Sequence, residues 1–557
     1  MSIRIPIGGE FFDDIIESGS YYVDKTALIY DLIQDANSKV SLFTRPRRFG
    51  KTLMMTMLQN FFDINRSSAA LFQNLEIFRH KELCDEWMNQ YPVLFISLKD
   101  ISGLDFNDAY GMLQVVIADT CKKHSSLEYD EKVQPSDAEL FHKLIFETAN
   151  QKELQNSLKT IMRMMYAVYG KPVILLIDEY DVPLAKAHSH GYYDQMLPVI
   201  RAILSTALKS NDYLKISVIT GCLRIAKESI FTGVNNFKSY SILDKKFSTY
   251  FGFTEDEVMK LLEAAGLPEH METIRSWYDG YVFGNTKVFC PWDVVNYVSD
   301  AMYDPTIKPK NYWKNTSSNE ILLTFVNRTD FDVRYKFETL MNSGRIQQKI
   351  SDELTYDTLH DSEENLWSVL LMTGYLTKAD PMEDEETVSL KIPNEEISRI
   401  FEDTVFRFFK GKHSRTKQKE LMEALWEGDA KKASELMTDI LFETISYHDY
   451  HENYYHAFLT GIIYGAGCDV SSNQENGLGR TDITVREAAM RRAMILEAKK
   501  SDREEYMEKD CQEEIKQILD KQYLRGFPGF KKVVCYGIAF YQKQALILKL
   551  EEASGQI

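Results

Sequence analysis

The chain has 557 residues, a formal net charge of −18, 44% hydrophobic and 27% charged residues. At roughly 100–200 residues per domain this length points to three or four units of ordinary globular composition. The acidic balance argues against a chain-wide nucleic-acid coat and against an acidic membrane as partner, but it leaves room for a local basic groove or a metal-bridged phosphate site. Seven scattered cysteines without a CxxC pair fit reduced thiols better than a disulfide framework or a thiolate zinc site. Met1–Asp14 carries Glu10, Asp13 and Asp14 and reads as no signal peptide, and no apolar run approaches the ~18 residues of a membrane span. A soluble cytoplasmic protein with no membrane partner is expected.

Residues 1–240 alternate strands and helices. The pattern predicts strands at Val40–Thr44, Val93–Leu98, Pro172–Ile177 and Leu214–Thr220, and helices at Thr52–Phe62, Leu154–Tyr169 (ended by Gly170) and Leu197–Leu208. This is an α/β pattern with a parallel sheet covered on both faces. Residues 241–400 read as mostly helical and irregular, with acidic loops at Asp361–Glu364 and Met382–Glu386. Residues 401–557 begin with helices Ile400–Phe409, Lys417–Glu427 and Ala430–Ile445, then a helix from about Glu452 to Tyr464. Strands Thr481–Val485 and Met494–Ala498, a long helix over about Arg503–Tyr523, and strands Lys532–Ala539 and Gln544–Lys549 complete the chain.

Two motifs in the first stretch carry phosphate chemistry. Val40–Thr44 is followed by Arg45-Pro46-Arg47-Arg48-Phe49-Gly50-Lys51-Thr52 and a helix. That is the setting of a phosphate loop, with backbone N–H groups around a β-phosphate, Lys51 on the β/γ oxygens and the Thr52 hydroxyl on Mg²⁺. Arg45 stands where the usual pattern has Gly. The second motif is the apolar strand Val173–Ile177 ending in Asp178-Glu179, Asp178 as a Mg²⁺ holder and Glu179 as the base for an attacking water. Thr220, at the end of another strand, is a candidate γ-phosphate sensor, and Arg224 a candidate for stabilising transition-state charge. A strand-end Thr is also an ordinary β residue, Arg224 also a surface ion-pair former, and Arg45, Arg47 and Arg48 are as suited to acidic loops as to phosphates.

The last stretch holds a second constellation. Asp482, Glu497 and Lys499 lie on two successive strands, with Glu497 and Lys499 two residues apart on one face. Carboxylates so placed can share Mg²⁺ or Mn²⁺, and Lys499 can orient or deprotonate a water for attack on a phosphodiester. Glu452 is a further candidate ligand. His448, Glu452 and His456, at i, i+4 and i+8, offer a zinc alternative, though packing of the Tyr447–His456 stretch accounts for them as well.

Taken together the motifs resemble a known bacterial family. Tyr22-Val23-Asp24-Lys25-Thr26, the Arg45–Thr52 loop, Asp178-Glu179-Tyr180-Asp181 and Ser229-Ile230-Phe231-Thr232-Gly233 resemble the AAA-ATPase-like family, as do Trp277-Tyr278-Asp279-Gly280-Tyr281, Pro291-Trp292 and Leu371–Leu376. Tyr454-Tyr455-His456, Gly479–Ile483 and Glu497-Ala498-Lys499 resemble a PD-(D/E)xK nuclease-superfamily domain. The resemblance implies a P-loop (AAA-like) parallel-sheet domain over 1–240, a helical lid or middle over 241–400 and a restriction-endonuclease-like α/β domain over 401–557. It gives nucleotide roles to Lys51, Thr52, Asp178 and Glu179, nuclease roles to Asp482, Glu497 and Lys499, and a match to Gln517 and Tyr523. Asp24-Lys25 matches a motif of underived role. Glu513 departs from the small residue expected on a packing face, which is expected to loosen that helix.

Three readings follow. The first is an ATP-controlled, metal-dependent nuclease acting on DNA or RNA, in defence or DNA processing. The second is a nucleotide switch whose last domain binds nucleic acid or a protein without cutting. The third is an ATPase with a relic second site, which the intact Asp482, Glu497 and Lys499 argue against. Homo-oligomerisation, with Arg224 acting across an interface, is compatible with all three.

Overall fold

The computed structural model describes residues 3–35, 38–224, 231, 237–313, 336–337, 339–341, 344–351, 354, 362–379, 387–412, 415–444, 452–465, 469–476, 479–487 and 490–550. The chain divides into two compact units, one of Met1–Trp313 with Gln347–Glu395, the other of Lys314–Ile346 with Glu396–Ile557. The stretch expected as a separate middle thus belongs largely to the first unit.

The first unit is built on a parallel sheet of β1 (Val40–Thr44), β2 (Val93–Ser97), β3 (Val173–Asp178), β4 (Leu214–Gly221) and β5 (Phe237–Tyr240), in the order β2-β3-β4-β1-β5. β1 and β3 are buried along their whole length. A parallel strand covered on both faces has no polar side, which is why β3 runs apolar from Val173 to Ile177 and even the Ser41 and Thr44 side chains of β1 are buried. β5, Phe-Lys-Ser-Tyr at the sheet edge, has no such run. Because β4 lies between β1 and β3, their C-terminal ends meet across it.

The predicted helix Leu154–Tyr169 is two helices, Gln151–Gln155 and Ser157–Tyr169. Asn150 starts the first with a capping box that reciprocates with Glu153, and Gly170 ends the second at φ +66°. Beyond the sheet, helices Glu255–Ala265, Met271–Tyr278 and Pro291–Tyr303 share a core of Val258, Leu262, Ile274, Tyr278, Val294 and Tyr297. This region holds more β-structure than its sequence suggests: a hairpin of β6 (Tyr281–Phe283) and β7 (Thr286–Val288), and a sheet of β8 (Ile346–Lys349), β9 (Thr377–Lys378) and β10 (Thr387–Lys391) in the order β8-β10-β9. β6, β7 and β9 are too short to display alternation, whereas β10, Thr-Val-Ser-Leu-Lys, does alternate, with Val388 and Leu390 buried. The Asp361–Glu364 loop is in part a helix, Glu363–Thr373: the Ser362 hydroxyl caps Asn365 N–H, and Glu363 and Glu364 favour its N-terminus. The Met382–Glu386 loop lies outside the described residues.

The Tyr22–Thr26 motif serves packing. Asp24 accepts from the Thr26 and Glu76 N–H groups, at 2.9 and 2.7 Å. Lys25 Nζ lies 2.6 Å from both Glu257 oxygens and 2.7 Å from the Thr249 carbonyl. Glu257 in turn closes the capping box of helix Glu255–Ala265 with Thr254. A half-buried lysine therefore ties the N-terminal segment to a helix more than two hundred residues away in sequence.

In the second unit, helices Glu395–Lys412, Arg415–Glu427, Ala430–Thr444 and Glu452–Gly465 precede a mixed sheet of β11 (Asp469–Asn476), β12 (Gly479–Glu487), β13 (Arg492–Lys500), β14 (Lys532–Tyr541) and β15 (Gln544–Lys549), paired in that order. Only β13 and β14 are parallel. The helix Met507–Asp520 crosses between them, shorter than the predicted Arg503–Tyr523 because Gln522 adopts φ +54° and the chain continues as a 3₁₀ turn. β11 (Asp-Val-Ser-Ser-Asn-Gln-Glu-Asn) is polar and was not expected as a strand. Gly537, opposite Glu497 in the β13–β14 register, admits the crossover helix: a methyl group there would lie 2.2 Å from the Cys511 carbonyl oxygen. No disulfide links the described cysteines. No helix among the described residues is long and apolar enough to cross a membrane.

Candidate nucleotide and metal sites

At the end of β1 the chain turns through Arg45–Gly50 into helix Lys51–Phe62. Gly50 is the N-cap at φ +82° and Arg48 is at φ +71°. The left-handed region is free to glycine but costs a side-chain-bearing residue on the order of 1 kcal/mol, so something else must hold Arg48 there. The helix start has no side-chain cap, which leaves its first N–H groups available to an anion.

The loop's side chains divide sharply. Arg45 is wholly buried. Its guanidinium donates to the Thr44 and Tyr240 carbonyls at 2.8 Å and lies over the Phe251 and Phe283 rings at 4.7 and 5.5 Å. Burial pushes its pKa down to about 9, against the pull of Asp244, and it stays charged at neutral pH. Phe49 is buried edge-on against Tyr281 at 5.0 Å, with Phe283 equally close, so any part it takes in nucleotide binding falls to its backbone. Arg48 stacks on Trp292 at 3.8 Å. Arg47 is exposed, in the field of Cys222, Glu179 and Asp181.

Lys51, 4% exposed, places Nζ 3.2 Å from the Arg45 and Pro46 carbonyls and 3.3 Å from Glu179 Oε1. Burial opposes its charge, but Cys222, Glu179, Asp178 and Asp181 outweigh it and hold the pKa above the usual lysine value. Burial pushes the Cys222 thiol up to about 12, so near pH 7 the carboxylates carry that effect. Thr52 Oγ1 donates to Asp178 Oδ2 at 2.8 Å, and the Thr220 hydroxyl donates to Asp178 Oδ1. Thr220 Oγ1 also accepts the Glu179 N–H at 3.3 Å. Thr220 thus engages both acidic residues, since the β3–β4 register sets it beside Asp178. Asp178 is fully buried, and that burial raises its pKa despite the two hydroxyls. Glu179 sits at φ +54°, a strained conformation of the kind that gathers at functional sites. Arg224 follows β4 by three residues, its carbonyl accepting from Leu354 N–H at 3.2 Å.

Asp181 had no role assigned from sequence, although it closes the Asp178–Asp181 motif. It is buried and accepts the Cys222 and Leu223 N–H groups, both at 3.0 Å. Burial and then Glu179 raise its pKa to about 6.

In the second unit Asp482 on β12 and Glu497 on β13 lock together: Asp482 N–H donates to Glu497 Oε1 at 2.8 Å, and Ala498 N–H donates to Asp482 Oδ2 at 2.9 Å. Gln517 on the crossover helix donates to Glu497 Oε2 at 2.7 Å. Burial, with the Asp482 charge second, pushes Glu497 up to about 8. Glu514, absent from the sequence reading, completes a group with Asp482 and Glu497 whose carboxylate oxygens lie within 4.8 Å of one another. Like-charged oxygens crowded around a buried carboxylate are relieved by a cation, and an all-carboxylate donor set suits Mg²⁺ or Mn²⁺.

Lys499 faces the crossover helix from the same side of β13 as Glu497, and its Nζ is held by Glu513 at 2.7 Å and Asp510 at 3.5 Å. Glu513 therefore ties the helix to the strand where a loosening was expected. His456 Nε2 meets the Asp482 carbonyl at 2.9 Å, and Tyr455 stacks on Phe540 at 4.4 Å. Glu452 opens its helix, and its side chain and His448 lie outside the described residues. Tyr523 is buried near Gln517.

The "Uncharacterized protein in vnfD 5'region" of Azotobacter chroococcum mcd 1 is 24% identical over 498 residues, covering 86% of this chain and 87% of its own. Residues 6–231 match the family model described as predicted AAA-ATPase, and residues 450–550 that of the PD-(D/E)XK nuclease superfamily. The phosphate loop with its Thr52–Asp178–Thr220 network falls inside the first match, and the Asp482–Glu497–Glu514 group inside the second. The chain thus carries an AAA-ATPase-like domain followed by a PD-(D/E)XK nuclease superfamily domain.

Proposed function

We propose that the protein binds and hydrolyses ATP in its first unit and uses that cycle to control phosphodiester cleavage of DNA or RNA in its second, as a cytoplasmic enzyme of defence or DNA processing. The observation that carries this reading is the group of Asp482, Glu497 and Glu514. A relic site has no reason to keep three costly carboxylates together, one of them buried in an apolar strand.

In the first unit the helix start and the Arg47–Lys51 backbone bind the phosphates, with Lys51 between loop and γ-phosphate. Glu179, held at Lys51, accepts the proton of the attacking water as the bond to the β–γ bridging oxygen breaks, giving ADP and phosphate. Thr52 with Asp178, and separately Asp482, Glu497 and Glu514, are the residues that would hold Mg²⁺, and such an ion supplies neutralisation of phosphate charge at each place. Thr220 fixes Asp178, and Gln517 fixes Glu497.

One observation favours the second reading, a switch that binds without cutting: the Lys499 ammonium is already engaged by Glu513 and Asp510. The deciding experiment is cleavage of plasmid, linear duplex and single-stranded DNA, and of RNA, with Mg²⁺ or Mn²⁺, with and without ATP. Wild type runs beside Lys51→Ala and Glu497→Ala. Cleavage lost in Glu497→Ala supports the nuclease, and the Lys51→Ala lane reports nucleotide control. ATP hydrolysis without any cleavage hands the lead to the switch.

A further inference from the structure

The phosphate loop is gripped from outside by residues that belong to neither motif of the nucleotide site. Pro46 lies against Gly374, where a methyl group would come within 3.0 Å of its Cβ. Phe49 is wedged against Tyr281 and Phe283 of the β6–β7 hairpin. Arg48 stacks on Trp292, and its carbonyl accepts from the Cys290 thiol at 3.8 Å. Cys290 and Trp292 flank Pro291, the first residue of helix Pro291–Tyr303. The grip falls where the loop most needs it. Arg48 occupies the left-handed region without being glycine, and its φ decides whether the N–H groups that follow converge on one point or splay.

We propose that Trp292 is a positioning residue of the nucleotide site: its ring holds the Arg48 guanidinium and thereby keeps Arg48 in the conformation that aims the loop's N–H groups at the phosphates. The hairpin and the start of helix Pro291–Tyr303 are then part of the nucleotide-binding apparatus, and a loop that changes shape with its nucleotide pulls on them through Arg48 and Phe49. This rests on the ATPase reading of the site. Trp292 acts through Arg48, which makes the claim separable from a role in folding alone. The indole N–H also donates to the Tyr312 carbonyl at 3.3 Å, a bond that phenylalanine lacks while keeping a ring face.

The test is binding of a fluorescent ATP analogue with Mg²⁺, and phosphate release from ATP, by the full-length chain. Trp292→Ala is expected to weaken binding about tenfold, or about 1.4 kcal/mol, and to raise KM similarly with kcat within about twofold. Trp292→Phe is expected to recover most of that affinity. In an Arg48→Ala background, Trp292→Ala is expected to change affinity less than twofold, because the partner is gone. Unchanged affinity in Trp292→Ala overturns the proposal. So does equal loss in the Ala and Phe variants, which puts the effect in the Tyr312 bond, and so does full loss in the Arg48→Ala background. Should Trp292→Ala fail to fold, Trp292→Leu, which fills the space without a ring face, takes its place: it is expected to weaken binding about as much, and wild-type affinity in it overturns the proposal. Lys51→Ala separates the two claims: wild-type affinity that does not depend on Lys51, or no binding at all, refutes the ATPase reading and the proposal with it. Lys51-dependent binding that ignores Trp292 refutes the proposal alone.

Discussion

Replacing Arg45 with alanine is expected to destabilise the first unit. The guanidinium makes two charge-assisted hydrogen bonds at 2.8 Å and lies over two rings. Such bonds contribute about 1.5–3 kcal/mol each and desolvated ring contacts about 2 kcal/mol. Against this stands the burial of the charge, which holds the pKa near 9 and costs several kcal/mol on the scale of about 1.4 kcal/mol per unit. The charge itself therefore comes close to break-even. What truncation costs is what it leaves behind: two buried carbonyls facing a void where the side chain was. That amounts to about 3–5 kcal/mol. In a unit of more than 300 residues this lowers Tm by about 4–7 °C. Arg45→Met fills most of the space without a charge and is expected to cost about half as much. The assay is calorimetric melting of the full chain with binding of a fluorescent ATP analogue measured in parallel. If Arg45→Ala melts like wild type and loses nucleotide binding instead, Arg45 contacts phosphate and the reasoning fails. If Met is no better than Ala, the fault lies in treating the void as the main cost.

Four further outcomes are expected. Asp178→Asn keeps hydrogen bonds to Thr52 and Thr220, whose hydroxyls can accept as well as donate, so it should melt no lower than wild type while ATP hydrolysis, followed by phosphate release, drops at least about a hundredfold. The Glu497 carboxyl titrates above its ordinary range in the fold, so in EDTA the stability it contributes is complete below about pH 4.5. That stability is lost as pH rises through about 8, at up to about 1.4 kcal/mol per pH unit; calorimetry of Glu497→Gln should show that slope removed, and Mg²⁺ should restore Tm at pH 8.5 only in wild type. Lys25→Ala strips a largely buried partner from Glu257 and should cost about 3 kcal/mol or more in urea unfolding, with ATP turnover per folded molecule unchanged; altered turnover would show the motif to be more than a bracket. Glu513→Gln loosens the hold on Lys499, so a plasmid-cleavage assay should show equal or faster cutting, whereas slower cutting means the pair belongs to the working site.

Much of the architecture was legible wherever burial enforces a strong pattern. β1 and β3 are covered on both faces, and their largely apolar composition marks them to within a residue. β5, β11 and the short strands of the β6–β10 region carry no such mark, since an edge strand or a three-residue strand buries too little to constrain composition. Lys51, Thr52, Asp178, Asp482 and Glu497 were visible because a Gly-Lys-Thr step into a helix and carboxylates within or at the end of apolar strands are chemically unusual. Glu514 was not, because one glutamate on an acidic helix looks like any other until Gly537 lets that helix close on β13. The loop arginines were the most misleading. Arg45 and Arg48 suggest phosphate contacts by charge, yet one is held by carbonyls and both by aromatic faces, and all of these partners except Thr44 lie far along the chain, from Tyr240 to Trp292, and leave no local trace.

The two sites differ in when synthesis can finish them. Thr52 and Asp178 are 126 residues apart, and Arg45 waits for Tyr240, 195 residues later. β1 sits inside the sheet between β4 and β5, so it cannot be flanked on both sides until Phe237–Tyr240 has been made. Asp482, Glu497 and Gln517 are separated by only 15 and 20 residues. The carboxylate group is thus a short-range, quickly closed assembly made after the loop, and the loop with its partners a slower one of higher contact order. By the time a nascent chain displays these carboxylates, the domain proposed to govern them has already had the chance to fold.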